Sequence, residues 1–139
     1  MNPTLTIVRG LPGSGKTQLG RRLAKQTGSL LIEPDMFLIR AGAYNYDPVQ
    51  YQFATAAAIR CVQIAAQLRA DVIYADVLPR AIEVLALVEL YQTASQARTQ
   101  YKIIDCKQIT PEQSLCRNTH NVRREDILKM AADWEPWTE

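Results

Sequence analysis

Histidine is nearly absent from this chain of 139 residues: His120 stands alone, and the three cysteines, Cys61, Cys106 and Cys116, share no metal-type spacing. Neither a zinc site nor a disulfide framework is therefore indicated, and unpaired thiols suit a reducing compartment. Long apolar runs are also missing. Arg60, Glu83 and Glu89 interrupt the most hydrophobic stretches well short of the roughly 20 residues needed to span a membrane. No secretory-signal pattern opens the chain, so the expectation is a cytoplasmic protein with no membrane partner. Charge of one sign is scarce as well, because 16 Lys and Arg against 14 Asp and Glu leave a formal net charge of +2. A bulk electrostatic footprint for nucleic acid needs clustered bases, so any basic site has to be local.

What is present is ordinary in amount and unusual in one place. Hydrophobic residues make up 47% and charged ones 22%, values of a globular chain. The length suits a single domain over residues 1–139 that buries about two-thirds of its unfolded surface. The unusual place is Gly10-Leu11-Pro12-Gly13-Ser14-Gly15-Lys16-Thr17, which reads G-x-x-x-x-G-K-[ST], the phosphate-binding P-loop. It follows an apolar strand pattern and opens a helical one, the context the motif requires.

The hydrophobic pattern defines the elements around it. Leu5 to Val8 reads as a strand, and Thr17 to Thr27 as a helix with Leu19, Leu23 and Ala24 on one face and Gly28 as its stop. Leu30-Leu31-Ile32 is a second strand, Glu33-Pro34-Asp35 breaks regularity, and Met36 to Tyr46 is mixed. Asp47-Pro48 reads as an N-cap with proline at the first helical position, opening an Ala-rich helix to about Arg69. Val72 to Ala75 is an apolar third strand ending at Asp76, Pro79 starts a helix to about Ala94, and Tyr101 to Ile104 is a fourth strand. Thr110-Pro111-Glu112-Gln113 is a capping-box start, and a last helix sets Ile127, Met130, Ala131 and Trp134 on one face. Alternating strands and helices predict an α/β three-layer sandwich with a small parallel sheet of about four strands, closed by a helical lid at residues 110–135. Ligands of such sheets bind outside the carboxyl ends of the strands.

The strand ends therefore supply the candidate chemistry. Gly10, Pro12, Gly13, Ser14 and Gly15 form a backbone cradle for phosphate, Lys16 reaches toward the β- and γ-phosphates, and the Thr17 hydroxyl takes a position on Mg²⁺. A nucleoside triphosphate is the expected partner. Asp35 and Asp76 could divide metal support and proton abstraction between them. Each has a plainer alternative, Asp35 as a helix cap and Asp76 as a turn residue. Asp105 also ends a strand, without further support. Arg117, Arg123, Arg124 and Lys129 cluster in the C-terminal helical hairpin, either as a phosphate-covering lid or as a solvated face. His120 reads as a packing or capping residue. Tyr44, Tyr46, Tyr51 and Phe53 read as a packed loop, with base stacking as the alternative.

Taken together, these residues resemble the small P-loop kinases grouped with the 5′-hydroxyl polynucleotide kinases and the related zeta-toxin-like ATP-binding proteins. Arg9 to Thr17 is similar to the family's opening, Glu33-Pro34-Asp35-Met36-Phe37 to its second motif, and Tyr46-Asp47-Pro48 to the helix start that follows. Arg117-Asn118-Thr119-His120 through Trp134 is similar to its closing lid segment. The resemblance implies ATP with Mg²⁺, Asp35 as general base, Arg40 as the arginine that binds acceptor phosphate, and Arg117 on the ATP phosphates, helped by Arg123 or Arg124. Thr17 and Asp76 would then hold the metal. The implied reaction is phosphoryl transfer to a hydroxyl, with the 5′ end of a single-stranded nucleic acid as the first acceptor. A small-molecule kinase acting on a nucleoside, sugar or drug is the second reading, and a non-catalytic ATP-binding switch the third. Three places depart from the family pattern: Asp76-Val77-Leu78 lacks the usual neighbouring hydroxyl and amide, Thr55 stands where a histidine is frequent, and Asn121-Val122-Arg123 replaces Gly-Val-Pro.

Overall fold

The computed structural model describes residues 2–40, 43–44, 47–118 and 121–138. Four strands, β1 (Thr4–Arg9), β2 (Leu30–Ile32), β5 (Val72–Asp76) and β6 (Gln100–Asp105), form one sheet in the order β2-β5-β1-β6. Every pair in it is parallel. Val72 to Asp76 is buried along its whole length, as a strand covered on both faces must be. The register sets Arg9 opposite both Asp76 and Asp105, so three ionisable residues finish adjacent strands at one level. A two-residue antiparallel pair, β3 (Ile39–Arg40) with β4 (Ala43–Tyr44), lies apart from this sheet. It falls inside the stretch whose sequence is mixed; strands of two residues are too short to leave a periodic signal.

Three of the helices cover the sheet. On one face α1 (Lys16–Thr27) packs Leu19, Leu23 and Ala24 against Val8, Ile73 and Ala75. Gly20 makes that approach close, since a Cβ there would stand 3.0 Å from the Leu31 side chain. Gly28 ends the helix with φ +73 and an amide bond to the Ala24 carbonyl, the left-handed stop expected of glycine. On the other face α2 (Pro48–Gln67) and α3 (Ala81–Ser95) enclose the main core, where Ala58, Val62, Val84, Leu87 and Tyr91 meet Leu5, Ile7 and Tyr74. Asp47 caps α2 by accepting from the Val49 amide. α4 (Pro111–Arg117) begins with the reciprocal Thr110–Gln113 capping box, and α5 (Arg124–Asp133) follows. The result is the expected three-layer arrangement with four parallel strands. Among the described residues no helix is long and apolar enough to cross a membrane.

Three local readings change. Pro79 does not open α3, which starts two residues later with Arg80 as N-cap, because the Pro79 carbonyl is engaged by the Glu135 amide and by Arg9. Trp134 is the residue after α5 and not part of its buried stripe. Asp105, unremarkable in sequence, accepts from Arg9 at 3.2 Å and from the Trp137 amide at 3.0 Å.

All three corrections lead to Arg9. Its side chain is completely buried, donates through Nε and Nη2 to the Leu78 carbonyl at 3.0 and 2.7 Å, and reaches the carbonyls of Pro79 and Glu135. The Trp134 ring stacks 4.3 Å from the guanidinium carbon, a cation–π contact strengthened by burial. Leu78 sits at φ +45, a left-handed conformation unfavourable for a branched side chain, and the two Arg9 bonds hold its carbonyl there. One residue thus ties the chain end and the β5–α3 turn to the strand that precedes the P-loop. Replacing it leaves Asp105 without its cation and the part-buried carbonyls of Leu78, Pro79 and Glu135 without this donor. Arg9→Ala is expected to cost about 3 kcal/mol or more of unfolding free energy, read as a lower urea midpoint with unchanged slope.

Candidate functional site

The P-loop runs from the end of β1 into the first turn of α1. Gly13 and Gly15 hold φ +79 and +91, backbone that a side chain resists, and the first turn of α1 carries no acidic residue. That leaves amides and the positive helix end aimed at one concavity, an anion site by construction. The loop is braced from outside by α4: the buried Ser114 hydroxyl donates to the Pro12 carbonyl at 2.6 Å. A Cβ on Gly13 would stand 2.6 Å from the Arg117 Cβ and 3.0 Å from its backbone. Arg117 therefore leaves the loop surface directly beside the phosphate cradle, although it lies about 100 residues away in sequence.

Three carboxylates face this cradle. Asp35 lies within a single 3-10 turn, Pro34–Phe37, whose N-cap is Glu33, so the plainer reading of Asp35 as a helix cap does not describe it. Glu33 is buried; burial pushes its carboxyl up, the neighbouring Thr17 side chain, Arg21 and Lys16 oppose the shift, and Asp35 adds to it. From sequence Glu33 has no role of its own, although it stands in the second motif and at the carboxyl end of β2. Asp76 is 6% exposed. It accepts from the Tyr51 hydroxyl and, at 2.8 Å, from the Val77 amide. Burial pushes its carboxyl up to about 6, against the Tyr51 and Val77 bonds and Lys16, with Asp35 raising it further. The Tyr51 and Tyr74 hydroxyls are in turn held protonated by burial and by Asp76.

The residues present fit a phosphate-bound divalent cation. A threonine hydroxyl beside a buried glutamate, and a buried aspartate raised by burial and by a neighbouring carboxylate, give oxygen donors and negative charge of the kind Mg²⁺ favours. Among the described residues no three His, Cys, Asp or Glu converge as a self-sufficient metal cage.

The other basic residues are placed differently from one another. Arg123 is ion-paired to Asp126 at 3.0 Å and to Glu125 at 3.7 Å, and Lys129 to Asp133 at 3.2 Å. Arg124 lines the seam between α4 and α5 with Leu115 and Ile127. Of the four, only Arg117 is shown against the P-loop. Asn118 clasps Val122 through both its amide groups. Thr119 and His120, the role of Tyr46, and the side chains of Arg40 and Tyr44 lie outside the described residues. The expected packed aromatic loop is not formed by Phe53, which is 79% exposed, while Tyr51 serves Asp76.

Beside Asp76 a cavity of about 530 Å³ opens between α2, α3 and α5, walled by Ile59, Leu78, Leu87, Leu90 and Met130. A second, of about 410 Å³, lies next to Gly10 and Leu11 and is bounded by Cys106 to Ile109 and Trp134.

Residues 5–133 match the AAA domain family. The chain belongs to this family. No curated protein matches it. Among solved structures it is similar to a chain of the Pnkp1/Rnl/Hen1 RNA repair complex, with a TM-score of 0.68 and 20% identity over 95% of this chain and 44% of that one. It is similar also to a candidate kinase from Chloroflexus aurantiacus J-10-fl (TM-score 0.66, 19% identity, 94% of this chain and 68% of that one). A gluconokinase from Sinorhizobium meliloti 1021 gives a TM-score of 0.58 at 14% identity over 96% of this chain and 76% of that one. The AAA domain thus spans under half of the RNA-repair chain, and at these identities the likeness establishes the fold, which is that of P-loop kinases.

Two outcomes follow from the geometry. Gly13→Ala combines left-handed strain with a collision against Arg117 and should weaken binding of a fluorescent ATP analogue by roughly tenfold or more, with little change in the fold's circular dichroism. For Asp76 the folded carboxyl titrates above its unfolded value of 3.8, so the folded state binds the extra proton and loses stability as pH rises from about 4 through about 6. Asp76→Asn should therefore unfold like the parent below about pH 4 and be the more stable above about pH 6, by at most about 3 kcal/mol. A difference independent of pH would contradict the burial argument.

Proposed function

We propose that this AAA domain transfers the γ-phosphate of ATP to a hydroxyl group. The observation that carries the reading is the convergence of the P-loop, Arg117, Asp35 and Asp76 on one edge of the sheet. In the proposed step the acceptor oxygen bonds to the γ-phosphorus as the bond to the β–γ bridging oxygen breaks, and ADP leaves with that electron pair. The hydroxyl proton passes to Asp35. Lys16 and the loop amides stabilise charge on the β- and γ-phosphates, and Arg117 approaches the same oxygens from α4. Thr17, with Asp76 behind it, would hold Mg²⁺, which when bound neutralises charge between those phosphates. Residues 110–135 act as the lid, and Arg123 and Arg124 join it only if their present ion pair and seam contacts are exchanged. Free cysteines at 61, 106 and 116 support a cytoplasmic setting.

Two acceptor classes have support. Likeness of fold to the RNA-repair chain favours the 5′-hydroxyl end of a nucleic acid, with Arg40 on its phosphate. The apolar cavity beside Asp76 favours a small hydroxyl compound, and of the two it is the observation made on this chain's own side chains. Transfer of labelled γ-phosphate to 5′-hydroxyl RNA and DNA, and to a set of small alcohols, decides between them. Lys16→Ala should abolish label in every acceptor. Asp35→Asn should keep ATP affinity within a few-fold and lower the transfer rate by roughly 10²–10⁴, the range of a lost general base; equal turnover would remove Asp35 from the step.

A further inference from the structure

The cavity between α2, α3 and α5 has a chemistry that narrows the acceptor beyond "a small hydroxyl compound". At about 530 Å³ it falls in the range of small-molecule sites, roughly 300–1,000 Å³. Its walls are mainly aliphatic, with Tyr51 and Tyr74 lining it beside Asp76, the carboxylate that feels both Lys16 and Asp35. An acceptor seated here would bring a hydroxyl to the edge of the phosphate cradle.

The charges around it are one-sided. Four carboxylates, Asp76, Glu83, Asp126 and Asp133, line the cavity against a single ammonium, Lys129. Asp133 is balanced by Lys129 at 3.2 Å and Arg80 at 3.4 Å, and Asp126 by Arg123 at 3.0 Å. Glu83, in the first turn of α3, has no ion pair among the described residues. It stands exposed at the cavity's rim. A phosphodiester chain entering here would meet like charge, whereas single-strand sites line their groove with basic residues. A cation would find an unbalanced carboxylate at the rim.

We infer that this cavity is the acceptor pocket and that it takes a compact, largely apolar alcohol bearing a protonated amine, with the amine at Glu83 and the hydroxyl at the Asp76 end. The inference rests on the phosphoryl-transfer reading and adds the substrate class to it. The reaction balances as above: the alcohol oxygen gains the phosphoryl group, ADP departs, and the proton goes to Asp35 while the amine remains protonated.

The test uses the full chain with Mg²⁺ and a non-hydrolysable ATP analogue, and reads binding by saturation-transfer NMR. The probes are hydroxyl-bearing arylalkylamines (phenylalaninol, aminomethylbenzyl alcohol), the matched nitrogen-free alcohols, the matched hydroxy acids, and a 5′-hydroxyl oligonucleotide. The amines should bind about fivefold or more tighter than the neutral alcohols, and the hydroxy acids should bind weakest. Glu83→Gln should erase the preference for amine while keeping the neutral alcohols. Ala86→Trp, which fills the cavity from α3, should weaken every small probe by roughly tenfold. Leu85→Trp, on the solvent side of α3 and outside the lining, controls for added bulk. The inference is overturned if neutral or acidic probes bind as well as amines, if no amine binds, or if Ala86→Trp folds and binds amines unchanged. It is overturned equally if the oligonucleotide is phosphorylated at one rate by the parent and by Ala86→Trp. ATP turnover and oligonucleotide phosphorylation, read in parallel samples with ATP in place of the analogue, separate the two levels. Turnover that persists in Lys16→Ala counts against phosphoryl transfer itself, whereas Lys16-dependent turnover without amine binding counts against the pocket alone.

Discussion

A single buried guanidinium holds the working edge of this domain together. Arg9 ends the strand that becomes the P-loop, and its donors bind the β5–α3 turn and the chain segment after α5. Burying a charge this fully is costly unless each donor finds an acceptor; here the acceptors are mainly backbone carbonyls, with Asp105 supplying the opposite charge. Such an arrangement specifies geometry more than it adds stability. The loop after Asp76 is held in a left-handed turn at Leu78, and that turn directs Val77 and Leu78 into the wall of the cavity.

On the phosphate side the tension runs in the opposite sense. Glu33, Asp35 and Asp76 crowd one region with Lys16 as the nearby cation, and two of the three carboxyls are raised by burial. A stable empty domain would place neutral groups there. Carboxylates held where burial opposes their charge cost stability that neutral groups there would not.

The likeness in fold to RNA-repair and sugar-kinase chains leaves the acceptor open, since one scaffold hosts many chemistries and the site decides among them. Thr55, Val77 and Leu78, positions at which this chain departs from the polynucleotide-kinase pattern, all line the cavity beside Asp76. Two of the three departures visible in sequence are thus gathered at one place, while Asn121-Val122-Arg123 lies outside that lining.

Local chemistry in the sequence was enough for the elements and the loop. Glycines at fixed spacing before Lys16 and Thr17, the Asp47-Pro48 and Thr110–Gln113 caps, the Gly28 stop and the apolar strands all act within a few residues of themselves, so they read directly. Their alternation was also enough for a parallel three-layer sheet. The role of Arg9 was not legible, because its partners lie about 70 to 126 residues away and nothing local distinguishes it from a surface arginine. Glu33 behind Thr17, Tyr51 on Asp76, and the separation of Arg117 from Arg123 and Arg124 depend likewise on which segments meet. The sequence by itself determined that phosphate would be held at the end of the first strand, since a P-loop is made by contiguous backbone. What stands opposite that phosphate was decided only by the tertiary structure, because the cavity's walls come from three helices and a strand end that pack together only once the sheet has formed.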